Sequence, residues 1–66
     1  MKNNIKVQRA MRNMTQADLA KKISVSRQTI NAMEGNKYVP STILALKIAR
    51  LFEKQVEEIF ELDAED

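Results

Sequence analysis

The 66-residue sequence contains no cysteine and no histidine, and it has one glycine and one proline. These absences exclude disulfide bonds, thiol chemistry, imidazole general bases and Cys/His zinc sites. No apolar run reaches the length of about 18 residues that a membrane helix requires, and the polar start MKNNIK is unlike a signal peptide. We therefore expect a cytoplasmic protein without a metal, a cofactor, a membrane contact or a small-molecule ligand.

The charges are distributed unevenly along the chain. Residues 1–50 contain ten lysine or arginine side chains and two acidic ones, which gives a balance of +8. Residues 51–66 contain one lysine and seven acidic side chains, which gives a balance of −6. A basic body with an acidic tail favours a polyanionic partner, with the tail either kept away from it or screening it, although ordinary solvated charge is an alternative.

Apolar spacing and capping residues predict short helices joined by tight turns, and hence an all-α chain. The first helix is expected within residues 3–13. The second begins after Thr15, with Asp18 at the spacing of a capping box. Ser26 is expected to cap a third helix, and Gly35 to end it in a left-handed conformation.

The remainder of the chain continues this pattern. A fourth helix is predicted after Ser41 or Thr42, and the segment QVEEIF forms one more short helix. Ser24 lies in the turn between the second and third helices, where a left-handed serine costs about 1 kcal/mol. With no linker or repeat, we expect a single domain over residues 1–66.

The second and third helices have the spacing of a helix-turn-helix, which we place at residues 16–34. Ala20 is small where the two helices must cross closely. Apolar residues suited to hold the pair together are Leu19, Ile23, Val25, Ile30 and Met33. Any small helical bundle contains such a pair, so the packing pattern alone does not establish a function.

One face of the third helix is polar and carries no acidic residue. At about 100° per residue, Arg27, Gln28 and Asn31 lie opposite the apolar Ile30 and Met33. The N-terminal residues of a recognition helix reach base edges in the major groove, where arginine reads guanine and glutamine or asparagine reads adenine. These side chains therefore predict base contacts to double-stranded DNA, in preference to a merely solvated face.

The segment TQADLAKKISVSRQTINAMEGNKYVPS resembles the helix-turn-helix core of the XRE family, which includes the phage λ and Cro repressors. The resemblance extends from about Asn4 to Phe60 and implies a five-helix, λ-repressor-like fold. Its hallmarks are Thr15-Gln16, Leu19-Ala20, Val25-Ser26, Ile30, Glu34, Pro40 and Ile48-Ala49.

Within this family, the chain is most similar to short homodimeric repressors of the cytolysin-operon repressor type. In that type the N-terminal residues pair with the C-terminal segment. The resemblance therefore implies a small two-stranded antiparallel ribbon in which MKNN lies beside IFEL.

The resemblance also implies roles for individual residues. Arg27, Gln28 and Asn31 match base-contacting positions, and Gln16 matches a glutamine that braces a phosphate and the first recognition residue. Arg9 and Glu34 match a partly buried salt bridge, which we regard as structural because an unpaired buried charge is costly. The positions implied to contact the DNA backbone are Gln16, Ser26, Thr29, Asn36 and Lys37.

The C-terminal third carries more apolar residues than one small core needs, and Ile43 and Leu46 lie outside the inward stripe of the fourth helix. Apolar surface of this kind marks a partner site. We expect an isologous homodimer, with recognition helices ~34 Å apart on a palindrome. The dimerisation segment is about 51–62, and the predicted interface residues are Leu44, Leu51, Val56, Ile59 and Leu62.

These features favour a sequence-specific transcriptional regulator that acts as a repressor on an operator in the nucleoid. An alternative is the antitoxin of a toxin–antitoxin pair, although the tail ELDAED leaves little room for a toxin-binding segment. An enzyme is not expected, since only a lone carboxylate or lysine could act. RNA binding lacks an aromatic platform, because Tyr38, Phe52 and Phe60 are the only aromatic residues.

Overall fold

The computed structural model describes all 66 residues and contains five helices and two short strands. The helices are α1 (Ile5–Met11), α2 (Gln16–Lys22), α3 (Arg27–Glu34), α4 (Thr42–Phe52) and α5 (Val56–Ile59), and the strands are β1 (Lys2–Asn3) and β2 (Phe60–Glu61). The predicted five-helix fold is confirmed. No helix is both long enough and apolar enough to cross a membrane.

Polar residues cap three of the helices, as the sequence predicts. Thr15 Oγ1 accepts a hydrogen bond from the backbone N–H of Asp18 at 3.0 Å, and the Asp18 carboxylate accepts one from the N–H of Thr15 at 3.0 Å. Ser26 and Ser41 each accept a bond from the third backbone N–H of the helix that follows. These bonds satisfy donors that have no partner inside the helix, and so they fix where α2, α3 and α4 begin.

Helix α3 ends at Glu34, as predicted, but the predicted left-handed residue is wrong by one position. Gly35 has a φ of −86°, and the left-handed residue is Asn36, with a φ of 59°. Asparagine tolerates this conformation better than most residues. The Asn36 side chain is also held from outside the helix, because Asn3 Nδ2 donates a hydrogen bond to its Oδ1 at 3.2 Å. Ser24, in the turn before α3, is left-handed with a φ of 60°.

The core consists of twelve buried apolar side chains from all five helices, the end of α2 and β2. Leu19 and Ile30 are fully inaccessible, so the inner faces of α2 and α3 pack into the same core. The core residues are Ile5, Leu19, Ala20, Ile23, Ile30, Met33, Leu44, Ile48, Ala49, Phe52, Ile59 and Phe60.

Two residues predicted at a dimer interface belong to this core. Leu44 is 7% exposed and Ile59 is 2% exposed, so the chain's own side chains already cover them and they offer little surface to a partner. Within the single chain, these two residues therefore serve the core. The outward face of α4 instead presents Ile43 and Leu46, which are 69% and 53% exposed.

The two ends of the chain form the antiparallel ribbon that the resemblance implies. In its register, Lys2 lies opposite Glu61 and Asn3 opposite Phe60. Asn3 Nδ2 also donates a hydrogen bond to the backbone oxygen of Met33 at 2.8 Å. The ribbon is therefore connected to the C-terminal end of α3.

Candidate nucleic-acid interface

The first two turns of α3 present the three predicted base-contact residues together. Arg27, Gln28 and Asn31 are all exposed, and they line one shallow depression on the surface. The Arg27 and Gln28 side chains form no ion pair or hydrogen bond within the chain. Their donors are therefore free to bind a ligand, whereas Ile30 and Met33 on the opposite face anchor the helix in the core.

Gln16, the first residue of α2, orients Asn31. Its Nε2 donates hydrogen bonds to Asn31 Oδ1 at 3.3 Å and to Glu34 Oε1 at 3.0 Å. The resemblance implied a contact with the first recognition residue, but the structure shows the contact one turn later. Because Asn31 uses its oxygen internally, its NH2 group remains as the donor.

A partly buried ion pair fixes α1 to α3 behind this surface. Arg9 Nε lies 2.7 Å from Glu34 Oε2, and Arg9 Nη2 lies 3.0 Å from Oε1. The two side chains are only 13% and 7% exposed, and a paired geometry of this kind is stronger than a single contact. The expected structural pair between Arg9 and Glu34 is therefore present.

The ion pair and Gln16 control the ionisation of Glu34. Burial raises the pKa of Glu34, but the hydrogen bonds from Arg9 and Gln16 and the nearby positive charges outweigh it, so the pKa lies below its ordinary value. The hydrogen bond with Glu34 likewise raises the pKa of Arg9, despite burial. Both groups remain charged at neutral pH, and the carboxylate continues to hold Gln16 in place.

Four of the five residues predicted to contact the DNA backbone lie near the two ends of α3. At its start, the hydroxyl oxygens of Ser26 and Thr29 lie 2.9 Å apart. Past its end, Asn36 and Lys37 are exposed, and the Lys37 backbone N–H donates to the oxygen of Ala32 at 2.8 Å. Ser26 thus precedes the three candidate base readers and Asn36 and Lys37 follow them, whereas Thr29 lies on the helix between Gln28 and Asn31.

Sequence reasoning missed the role of Arg12, which joins α1 to the end of α4. Its Nη2 donates to the backbone oxygen of Phe52 at 2.7 Å, and its Nη1 donates to both the backbone and side-chain oxygens of Gln8 at 2.9 Å. The guanidinium carbon also lies 4.8 Å from the centre of the Phe52 ring. The spacing of Gln8 and Arg12 on one helix face is visible in the sequence, whereas the contact with Phe52 spans 40 residues.

Comparison with known proteins identifies the family. Residues 5–59, which include all five helices, match the model of the helix-turn-helix family HTH_3. The chain is 58% identical over 60 residues to an uncharacterised HTH-type transcriptional regulator of Methanocaldococcus jannaschii, and the match covers 91% of each chain. It is 50% identical over 66 residues to one from Archaeoglobus fulgidus, covering all of this chain and 93% of the relative.

A bacterial relative shows the same full-length match. The chain is 42% identical over 66 residues to the uncharacterised HTH-type regulator YgzD of Bacillus subtilis, and the match covers both chains completely. The family indicates a DNA-binding protein and not an enzyme, in agreement with the exposed polar face of α3. The chain belongs to the XRE-type helix-turn-helix family of DNA-binding transcriptional regulators.

Proposed function

We propose that this protein is a repressor that binds a palindromic operator in the nucleoid as a homodimer. The observation that carries the proposal is the group of exposed side chains on α3, where Arg27 and Gln28 have no partner within the chain and Asn31 is held by Gln16. Binding at an operator that overlaps a promoter would block access of the polymerase.

In the proposed complex, α3 enters the major groove with its N-terminal turns against the bases. Arg27 suits a paired contact with O6 and N7 of guanine, and Gln28 suits one with N6 and N7 of adenine. Asn31 has its NH2 group left as a donor, which suits an acceptor such as N7 of adenine. Each good paired contact is worth about 1–3 kcal/mol of discrimination against the wrong base. Because Gln16 already orients Asn31, less side-chain entropy is lost when Asn31 binds.

Phosphate contacts on both sides of α3 would fix its register in the groove. Ser26 and Thr29 at the start of the helix, and Asn36 and Lys37 after its end, carry hydroxyl, amide and ammonium donors. Gln16 is the fifth proposed backbone contact. Contacts of this kind position a protein on the duplex without reading its sequence.

The proposed dimer interface lies at the C-terminal end of the molecule. Of the predicted interface residues, Leu62 is 72% exposed, and Leu51 and Val56 are partly exposed. The exposed Ile43 and Leu46 on α4 add further apolar surface outside the core. An isologous pairing through this surface would place two α3 helices in successive major grooves ~34 Å apart.

Selection of binding sites from a random duplex library, followed by fluorescence anisotropy at physiological salt, tests the DNA-binding part of the proposal. We expect two inverted half-sites with centres about 10 base pairs apart. We also expect binding at least about 10³-fold tighter than to a scrambled duplex. Equal binding to the two duplexes would contradict sequence-specific recognition, and a single half-site would contradict the dimer.

Analytical ultracentrifugation tests the interface with a matched pair of variants. Leu62→Asn should weaken the dimer about tenfold or more, because it removes apolar surface from the proposed contact. Val7→Asn is the control, since Val7 is also exposed (57%) but lies on α1. Equal dimer affinity for the two variants would show that Leu62 lies outside the interface.

A further inference from the structure

A second depression adjoins the recognition surface, at the junction of α1, the start of α2 and the end of α3. It shares Asn31 with the depression that Arg27 and Gln28 line, so the two form one continuous surface. Its walls include Lys6, Gln16, Asn31, Ala32, Glu34 and Lys37.

The charges of this second depression are unbalanced. Glu34 is its one acidic residue, and both of its carboxylate oxygens accept hydrogen bonds from Arg9. By contrast, neither Lys6 nor Lys37 forms an ion pair, whereas Lys2 and Lys54 each lie within 4 Å of a glutamate. Two ammonium groups that form no ion pair therefore flank a depression that also contains the NH2 donor of Asn31.

We propose that this depression binds a phosphate of the DNA backbone and that Lys6, on α1, is a phosphate ligand alongside Lys37. The inference rests on the proposed function, because it requires α3 to lie in the major groove next to the phosphate. The small side chain of Ala32 leaves room for the anion, and two ammonium groups supply the charge that phosphate contacts use in DNA-binding proteins.

Lys6 reaches this place because the buried ion pair orients α1. Lys6 precedes Arg9 by three residues, so the two side chains lie on the same face of the helix. Arg9 is fixed to Glu34 on α3, which brings that face of α1 beside the recognition helix. Lys6 lies outside the helix-turn-helix itself, which is why the pattern of residues 16–34 does not reveal it.

The salt dependence of DNA binding tests this assignment, with Lys6→Gln compared against Lys47→Gln. Both variants lose one positive charge, but Lys47 lies on α4 and lines a separate depression with Lys22 and Arg50. The slope of log K against log salt concentration is negative, and each lost phosphate contact makes it less steep by about 0.9. We therefore expect Lys6→Gln to flatten the slope by about 0.9 per bound protomer, while Lys47→Gln keeps the wild-type slope.

The same change should weaken binding to all sequences. When the salt concentration rises from about 50 to 200 mM, the binding constant of both proteins falls. The fall should be about threefold smaller per protomer for Lys6→Gln than for the wild type. Its preference for the selected operator over a scrambled duplex should stay unchanged, because a phosphate carries no base identity. A wild-type slope for Lys6→Gln, or an equal change in Lys47→Gln, would overturn the assignment.

The outcome for Lys6 can be separated from the outcome for the proposed function. A wild-type chain that bound the selected and scrambled duplexes equally would contradict sequence-specific repression. The salt slopes on either duplex would still decide whether Lys6 contacts a phosphate. If the wild type is specific and the slope of Lys6→Gln is unchanged, only the assignment of Lys6 fails.

Discussion

Residues 1–50 and residues 51–66 differ in how many of their charges have partners within the chain. Of the ten basic side chains in residues 1–50, only Lys2 and Arg9 form ion pairs. Four of the seven acidic side chains in residues 51–66 form them, namely Glu58, Glu61, Asp63 and Asp66. The basic part thus keeps most of its charge free for a polyanion.

The acidic tail is held by the N-terminus and not by the DNA-binding surface. The α-ammonium group of Met1 lies 2.9 Å from carboxylate oxygens of both Asp63 and Asp66. The hydrogen bonds to these two carboxylates raise the pKa of the Met1 ammonium group. Because no acid of the tail pairs with Arg27 or Lys37, the tail leaves the positive charge around α3 uncancelled.

Arg9 should matter most for stability among the basic side chains of residues 1–50, because its ion pair with Glu34 is the least exposed in the chain. Arg9→Met leaves the Glu34 carboxylate buried without its cation, which should lower the free energy of unfolding by about 3 kcal/mol. Urea denaturation measures the loss. The double variant Arg9→Met/Glu34→Met should recover part of it, and a loss below about 1 kcal/mol in the single variant would contradict the role of the pair.

Acid should remove the contribution of the same pair. The pKa of Glu34 is lower in the folded chain than its ordinary value of 4.5. Its contribution is therefore complete above about pH 4.5 and is lost as the pH falls through the folded pKa. In urea denaturation, the stability difference between wild type and Glu34→Gln should shrink on acidification from pH 6 to about pH 3.

A control separates Glu34 from the other carboxylates. Glu57→Gln removes an exposed acidic group that has no ion pair, so its stability relative to wild type should vary much less over the same pH range. If the two variants depended on pH in the same way, the hydrogen-bonded pair would not be the source of the acid sensitivity.

An exposed ion pair of the tail should matter least. Lys2 Nζ lies 3.3 Å from Glu61 Oε1, but the two side chains are 62% and 72% exposed. Water and salt screen such a pair, so Lys2→Gln should change the free energy of unfolding by less than about 0.5 kcal/mol. A larger loss by urea denaturation would mean that the ribbon depends on its charges and not on its backbone pairing.

The sequence predicts the parts of this structure that depend on neighbouring residues. The capping box of Thr15 and Asp18 and the order of the five helices follow from local spacing. The left-handed residue after α3 does not. Asn36 is bonded to Asn3 from the terminal ribbon, 33 residues away, and no local pattern contains that contact.

In the candidate site, too, the sequence predicts features that neighbouring residues determine and misses contacts between distant residues. The exposure of Arg27 and Gln28 follows from the helix period, because Ile30 and Met33 fix the opposite face. The interface residues were harder to predict, because an apolar stripe on α4 does not distinguish Leu44 in the core from Leu46 at the surface. The contact between Gln16 and Asn31 depends on the angle between α2 and α3, which only the packed structure defines.

The most direct test of recognition by α3 compares Arg27→Ala with Arg50→Ala by fluorescence anisotropy at physiological salt. Both variants lose an exposed, unpaired arginine, but only Arg27 lies on α3. Arg27→Ala should lower the preference for the selected operator over a scrambled duplex by about 1–3 kcal/mol, and Arg50→Ala should keep that preference. An unchanged preference in Arg27→Ala, or an equal loss in both variants, would contradict base recognition by the first turn of α3.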